Sequence, residues 1–356
     1  MLNEPRKILK QFSAGRIILP ILLGLGVAVW LFLREFNPKA FTNISWTTNS
    51  TLWMLLAVVS IFIRDFAYMV RVRALTDNEL NWYRSFIVIM LWEFSSALIP
   101  GMFGGGFLFA IFILNREGIN MGKSITAIMN SSFLDGIFLA TMAPLVYCLI
   151  GKEALFSSVQ INTTVGSSIF YTFWVVYFSI IGYKILIAYA LFVNPHVIKS
   201  LLLKLTSLPL LNRWHQNAIE TGEQLVIASN GLKNQNVKYW VITIASTFAS
   251  WMARFSIVNC IINAFHGQTL VNDAVIYGKQ VVMGIIILLS PTPGGSGLAE
   301  YIFSNFLNEF IPSGLASALG LLWRILSYYP YIFVGALILP RWLKKHFKLD
   351  QFKMNS

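Results

Sequence analysis

The chain has 356 residues, of which 56% are hydrophobic and only 12% charged, and it carries a net charge of +12. Soluble domains average about 25% charged residues, so the composition excludes an ordinary soluble enzyme and predicts an all-α polytopic membrane protein. The basic residues flank apolar runs and do not form a patch with interleaved aromatics, which excludes a nucleic-acid surface and fits cytoplasmic contact with anionic lipid.

The first residues, through Arg6 and Lys7, are polar and basic. With no cleavable signal sequence evident, the first apolar run reads as a retained span at about 16–36. Further full crossings are predicted at about 51–72, 122–150, 167–193, 238–265 and 314–340, each long enough for a hydrocarbon core of roughly 30 Å. Two apolar segments, about 84–121 and 273–312, are interrupted at their centres. The first break is Pro100-Gly101-Met102-Phe103-Gly104-Gly105-Gly106, and the second is Ser290-Pro291-Thr292-Pro293-Gly294-Gly295-Ser296-Gly297. Proline removes a helical N–H, and clustered glycine destabilises the helix. Between the fourth and fifth crossings lies 194–237, a long polar segment with apolar residues interspersed, predicted to form a helix pair on the cytoplasmic surface.

Charge placement decides how the broken segments run. If each is a re-entrant hairpin that leaves on the side it entered, Arg71, Arg73, Arg84, Arg116, Lys123, Arg341, Lys344 and Lys345 fall in the cytoplasm, as do both termini. If the first segment crossed fully, the basic 194–237 segment and basic tail would be exported. The hairpin reading makes the chain an inverted repeat, with 51–150 as the first unit and 238–340 as the second. The hairpins then enter from opposite faces, an arrangement that points to a transport site at the repeat interface.

Several ionisable residues fall inside predicted membrane segments: Arg64, Asp65, Glu93, Asp135, Lys184, Arg254, Lys279, Glu300 and Arg324. An unpaired charge at the bilayer centre costs about 2.5–3.5 kcal/mol on insertion scales, so each needs a partner, water or a role. Arg64 and Asp65 are candidates for a local pair, and Glu300 with Arg324 for a functional one. New helices beginning near Gly105 and Gly297 would aim free N–H groups at the centre, where glycine permits close approach of a phosphate. The alternative role for these glycines is tight packing of the hairpin tips. The candidate substrate-binding set is therefore Pro100, Gly101, Gly104, Gly105, Asp135, Arg64, Arg254, Pro293, Gly294, Gly295, Gly297, Glu300 and Arg324. Asp135 and Glu300 could meet a cationic amine or couple to protons. Cys148 and Cys260 read as small core hydrophobes, and the scattered histidines offer no metal-ligand spacing. No Gly-x-Ser-x-Gly elbow, Walker loop or His-Glu-x-x-His motif occurs, so neither an enzymatic activity nor a cofactor is expected.

Pro293-Gly294-Gly295-Ser296-Gly297-Leu298-Ala299-Glu300 with Leu322-Trp323-Arg324 resembles the C-terminal signature of the lysylphosphatidylglycerol synthase transmembrane family. Pro100-Gly101-x-x-Gly104, Asn115-Arg116-Glu117-Gly118 and Asp135 resemble its N-terminal counterpart. The first motif departs from the family pattern at Gly105, where glutamate is common, and at Ser132, where arginine is common. Well-known members join this membrane unit to a soluble aminoacyl-transferase domain, and none is expected after the last span here. The resemblance thus implies the membrane half alone: a flippase of the prokaryotic inner membrane, moving a polar or charged lipid by alternating access. Rival readings are an integral-membrane transferase acting on a lipid-linked substrate, and a non-catalytic scaffold for a separate lipid-synthesising enzyme.

Overall fold

A computed structural model describes residues 46–99, 106–157, 164–208, 212, 215–233 and 235–354. The expected first span at 16–36 and the tip residues Pro100, Gly101, Gly104 and Gly105 lie outside them. The described residues form helices and no strands: α1 (Thr48–Leu75), α2 (Trp82–Leu98), α3 (Phe107–Arg116), α4 (Met121–Ile150), the single turn α5 (Lys152–Leu155), α6 (Thr164–Phe192), α7 (Pro195–Thr206), α8 (His215–Leu232), α9 (Val237–Phe265), α10 (Leu270–Ile287), α11 (Leu298–Leu307), α12 (Ala316–Ser327) and α13 (Tyr329–Met354). Among the described residues, 48–75, 121–150, 169–192, 237–265, 270–287 and 316–346 are long and apolar enough to cross a membrane. The protein is an all-α polytopic membrane protein.

Polar caps start the long helices. Asn81 accepts from Arg84 N at 2.8 Å, Asn120 from Lys123 N at 2.8 Å, and Asn236 from Tyr239 N at 2.8 Å. Each satisfies an N–H that would otherwise lack a partner in the first turn. Thr47 and Ser50 form a reciprocal capping pair at α1.

α1 and α9 pack closely and run antiparallel. Trp46, before α1, meets Phe265 at the end of α9 with ring centroids 5.9 Å apart. At the other end, Arg71 donates to Thr247 Oγ1 at 3.3 Å. α2 and α3 follow the end of α1, whereas α10 and α11 follow the end of α9, so the two pairs begin at opposite ends of the bundle. Each pair returns to its starting end. Arg84, opening α2, donates to Glu117 O at 3.5 Å beyond α3, and Gln268, before α10, donates to Phe310 O at 3.1 Å beyond α11. Lys279 ties the second pair further, donating to Phe306 O and Ser157 Oγ at 2.9 Å each and pairing with Glu309. These are two helical hairpins of opposite sense, compatible with the expected re-entrant segments.

The apolar interior divides into two cores. One gathers Phe138, Phe173, Phe255, Ile261, Val281 and Phe303 around the second hairpin. The other gathers Tyr68, Leu91, Phe94, Ile113, Ile128 and Trp342 around the first. α1, α4 and α9 each contribute one end to each core, and their polar residues fall between: Arg64 and Asp65 on α1, Asp135 on α4, and Thr247, Ser250 and Arg254 on α9.

Three local expectations are corrected. The last predicted span, 314–340, is not continuous: Tyr328 leaves helical geometry at φ −132°, ψ −56°, separating α12 from α13. Pro330 is the cause, since it lacks an N–H and its ring crowds the carbonyl of Leu326. Arg71, assigned from charge pattern to the cytoplasm, is buried between helices. Cys148 is exposed, while Cys260 is buried. Between α6 and α9 the expected helix pair is α7 and α8, packed against each other, with α8 also against α4 and α6.

Candidate functional site

The charges between the two cores form three groups. In the first, α1 brings Arg64, only 1% exposed, to 2.5 Å from Glu93 Oε2 on α2 and 3.2 Å from Asp65 Oδ1. The hydroxyl of Tyr331, on α13, donates to Asp65 Oδ1 at 2.8 Å, and its ring lies 4.5 Å from the Arg64 guanidinium. Arg254, on α9, approaches the same Glu93 oxygen at 3.5 Å and lies over the Trp251 ring at 5.0 Å. Two carboxylates thus face two guanidiniums, and the arginine with no solvent access is the one held closely. A buried guanidinium is tolerable only with such charge-assisted partners.

The second group forms the tip of the second hairpin. Gly294, Gly295 and Gly297 have φ of 58°, 70° and 86°, a region that favours glycine. At Gly294 a Cβ would also stand 2.1 Å from the Tyr328 ring, so the tip and the α12–α13 break fit together only through glycine. Glu300 Oε2 accepts from Gly297 N at 2.6 Å, and Glu300 Oε1 accepts from Arg324 Nε at 2.6 Å. Arg324 Nη2 donates to Gly294 O at 2.8 Å. The sequence predicts a free N-terminus at α11, open to a phosphate. Instead, Glu300 already occupies the Gly297 N–H and supplies the negative charge that the helix dipole favours.

In the third group Asp135 Oδ1 accepts from Arg71 Nη1 at 2.6 Å and from Trp251 Nε1 at 2.8 Å. Lys184 stands nearby, donating to Ser132 O at 2.7 Å. Asp135 therefore belongs to an interhelical cluster of α1, α4 and α9, separated from Arg254 by Trp251.

A cavity of about 330 Å³ lies between the hairpins and is lined by Glu93, Ser96 and Ala97 of α2, Trp251 and Arg254 of α9, Gly294 and Gly295 of the second tip, and Arg324, Tyr328 and Tyr331 around the α12–α13 break. The Tyr328 hydroxyl bridges its two sides, donating to Ala97 O at 3.0 Å with Pro293 O at 3.5 Å.

Of the predicted residues, Arg254, Gly294, Gly295 and Arg324 line the cavity, and Arg64 lies behind Glu93. Pro293, Gly297 and Glu300 build the tip that forms its wall. Glu93 is visible in the sequence as a membrane carboxylate, but no motif or spacing ties it to the site. Trp251, Tyr328 and Tyr331 were also missed, though Tyr-Tyr-Pro at 328–330 marks a second interruption inside a predicted span. Among the described residues no group of three or more His, Cys, Asp or Glu is placed to hold a metal ion.

The profile described as "Lysylphosphatidylglycerol synthase TM region" matches residues 17–335. The chain belongs to this family. It is also similar to a protein of Archaeoglobus fulgidus described as "UPF0104 membrane protein", at 22% identity over 310 residues, covering 83% of this chain and 89% of that protein. No solved structure matches. Within this family member, Arg116 and Glu117 of the first motif end α3 and Asp135 lies on α4, while the conspicuous Pro-Gly-Gly-x-Gly tip of the second is closed by its own Glu300 and by Arg324 of α12.

Proposed function

We propose that this chain is a lipid translocase that moves a polar or charged lipid between the leaflets by alternating access. The observation that carries the reading is the charged cavity between two hairpins of opposite sense. Lipid tolerates broken backbone only where protein buries it or a polar cavity receives it, and opposed broken helices at a repeat interface suit transport. We read both hairpins as re-entrant, with the cavity near mid-depth.

The arginines are unequal. Arg64 and Arg324 are buried and held by carboxylates, whereas Arg254 keeps 32% of its side chain exposed and contacts Glu93 at 3.5 Å. Arg254 is therefore the cation that a headgroup phosphate would meet, and Glu93 the acceptor for a headgroup amine. The basic flanks favour cytoplasmic termini, and the resemblance to the family favours a prokaryotic inner membrane. The exposed stripe Val197, Leu201, Leu205 on α7, with Lys204 alongside, supports contact of that face with anionic lipid. An enzyme that makes the lipid would be a separate partner, and this chain has no catalytic role in the reading.

The test is leaflet exchange of fluorescent anionic, zwitterionic and cationic phospholipids in proteoliposomes. Accelerated exchange of one headgroup class, lost in Arg254→Ala, is the expected result. An absence of exchange with every headgroup under every ion gradient would sink the reading in favour of a transferase or scaffold.

A further inference from the structure

A second concavity, about 710 Å³, lies outside the charged cavity, between α6 and the incoming arm of the second hairpin. One stripe of α6 lines it, running from Tyr171 through Val175 and Ser179 to Tyr183, with Leu288 and Leu289 opposite. These α6 positions recur every fourth residue and so share one helical face. The lining is apolar or hydroxyl-bearing and carries no charge. Leu288 also lines the charged cavity, so this residue is the common wall of the two spaces.

We propose that the groove holds one acyl chain of the glycerolipid whose headgroup occupies the charged cavity. This rests on the translocase reading and extends it to the other end of the same molecule. From Tyr171 to Tyr183 the stripe extends about 18 Å at roughly 1.5 Å per helical residue. One leaflet contributes about half of a ~30 Å hydrocarbon core, so the groove is about as long as an acyl chain is deep. Leu288 sits where α10 ends, beside the tip. The headgroup and chain can therefore lie on its two sides at once. A different surface shows the contrast: α1 also exposes apolar side chains, among them Leu55, Phe62 and Phe66, but without continuity to the charged cavity. Ordinary bilayer lipid suffices to cover that face. In the groove, a chain held beside the tip would keep the lipid attached to the protein while its headgroup crosses the centre.

The experiment uses the full chain in proteoliposomes with two photoactivatable phosphatidylglycerols, one with a diazirine midway along an acyl chain and one with a diazirine on the headgroup. Crosslinked peptides are mapped by mass spectrometry across a titration with unlabelled phosphatidylglycerol. Chain labelling should concentrate between Tyr171 and Tyr183 and be competed away, while headgroup labelling should fall on the second tip. Chain labelling spread evenly over α1 and α6 and not competed, with the headgroup at the tip, would overturn the groove assignment alone. Headgroup labelling absent from the tip would overturn the cavity reading and the groove with it. As a second readout, Val175→Trp should slow exchange of the long-chain lipid about tenfold, equivalent to roughly 1.4 kcal/mol of barrier. It should leave a short-chain analogue that cannot reach Val175 unchanged. Equal slowing of both analogues would count against the groove. Ser179→Phe repeats the comparison should the larger substitution impair folding.

Discussion

The two hairpins hold their membrane carboxylates differently. The second is pinned at its tip: Glu300 accepts from Gly297 N within that tip, and Arg324 of α12 joins the carboxylate to Gly294 O. Both charged side chains are buried. The first hairpin places Glu93 on its incoming arm, and that carboxylate is shared by Arg64 and Arg254 from two other helices. The second tip thus holds its carboxylate partly with its own backbone, while α12 supplies the counter-charge. The first contributes a charge whose partners lie elsewhere, one held at 2.5 Å and the other at 3.5 Å. Movement of the first hairpin relative to the rest would leave the Glu300–Arg324 contacts intact but would alter those of Glu93.

The largest effect separates the hairpins on stability. Arg324→Ala leaves Glu300 buried without its counter-charge and frees Gly294 O. Removing one partner of a buried pair costs about 3–5 kcal/mol, so this variant should unfold at markedly lower temperature or denaturant in detergent. Glu93→Gln leaves Arg64 with Asp65 at 3.2 Å and should cost less. Equal destabilisation by the two substitutions would break the distinction drawn between the hairpins.

A smaller loss is expected at the neighbouring cluster. Asp135 is 29% exposed, so its pair with the buried Arg71 is weaker than a fully desolvated one. Asp135→Asn keeps an acceptor for Trp251 Nε1 but removes the charge facing Arg71, for an expected loss of about 1–3 kcal/mol. If the cluster is purely structural, lipid exchange by the folded variant should stay near the parental rate. A complete loss of exchange with stability preserved would instead bring Asp135 into the transport site.

How far the sequence foretold this depends on which interactions are local. Pro293-Gly294-Gly295-Ser296-Gly297 marks the second break by composition, and Glu300 stands three residues beyond Gly297, a spacing that a capping carboxylate requires. The long apolar runs likewise mark the helices that become α1, α4, α6 and α9. The centre was harder to read because Arg64, Glu93, Arg254 and Tyr331 come from four helices, and no sequence period relates them. Arg71 shows a related limit: a basic residue near the end of an apolar run reads as cytoplasmic, yet its long side chain reaches inward to Asp135. Pro330 was a visible signal within the last span, and it explains the break that brings Tyr328 to Ala97 and Gly294.

The smallest expected change in stability is also the sharpest test of how the hairpins move. The Tyr328 hydroxyl donates to Ala97 O at 3.0 Å on the first hairpin, with Pro293 O of the second at 3.5 Å, while its ring packs against Gly294. Tyr328→Phe preserves the ring and removes only that bridge, so it should destabilise the protein by about 1 kcal/mol. If the hydroxyl holds the hairpins together between transport steps, the same variant should exchange lipid faster than the parent in proteoliposomes, because opening no longer requires the bond to break. Slower exchange at unchanged stability would mean that Tyr328 contacts the headgroup, and the hydroxyl would then belong with Arg254 among the groups that recognise the lipid.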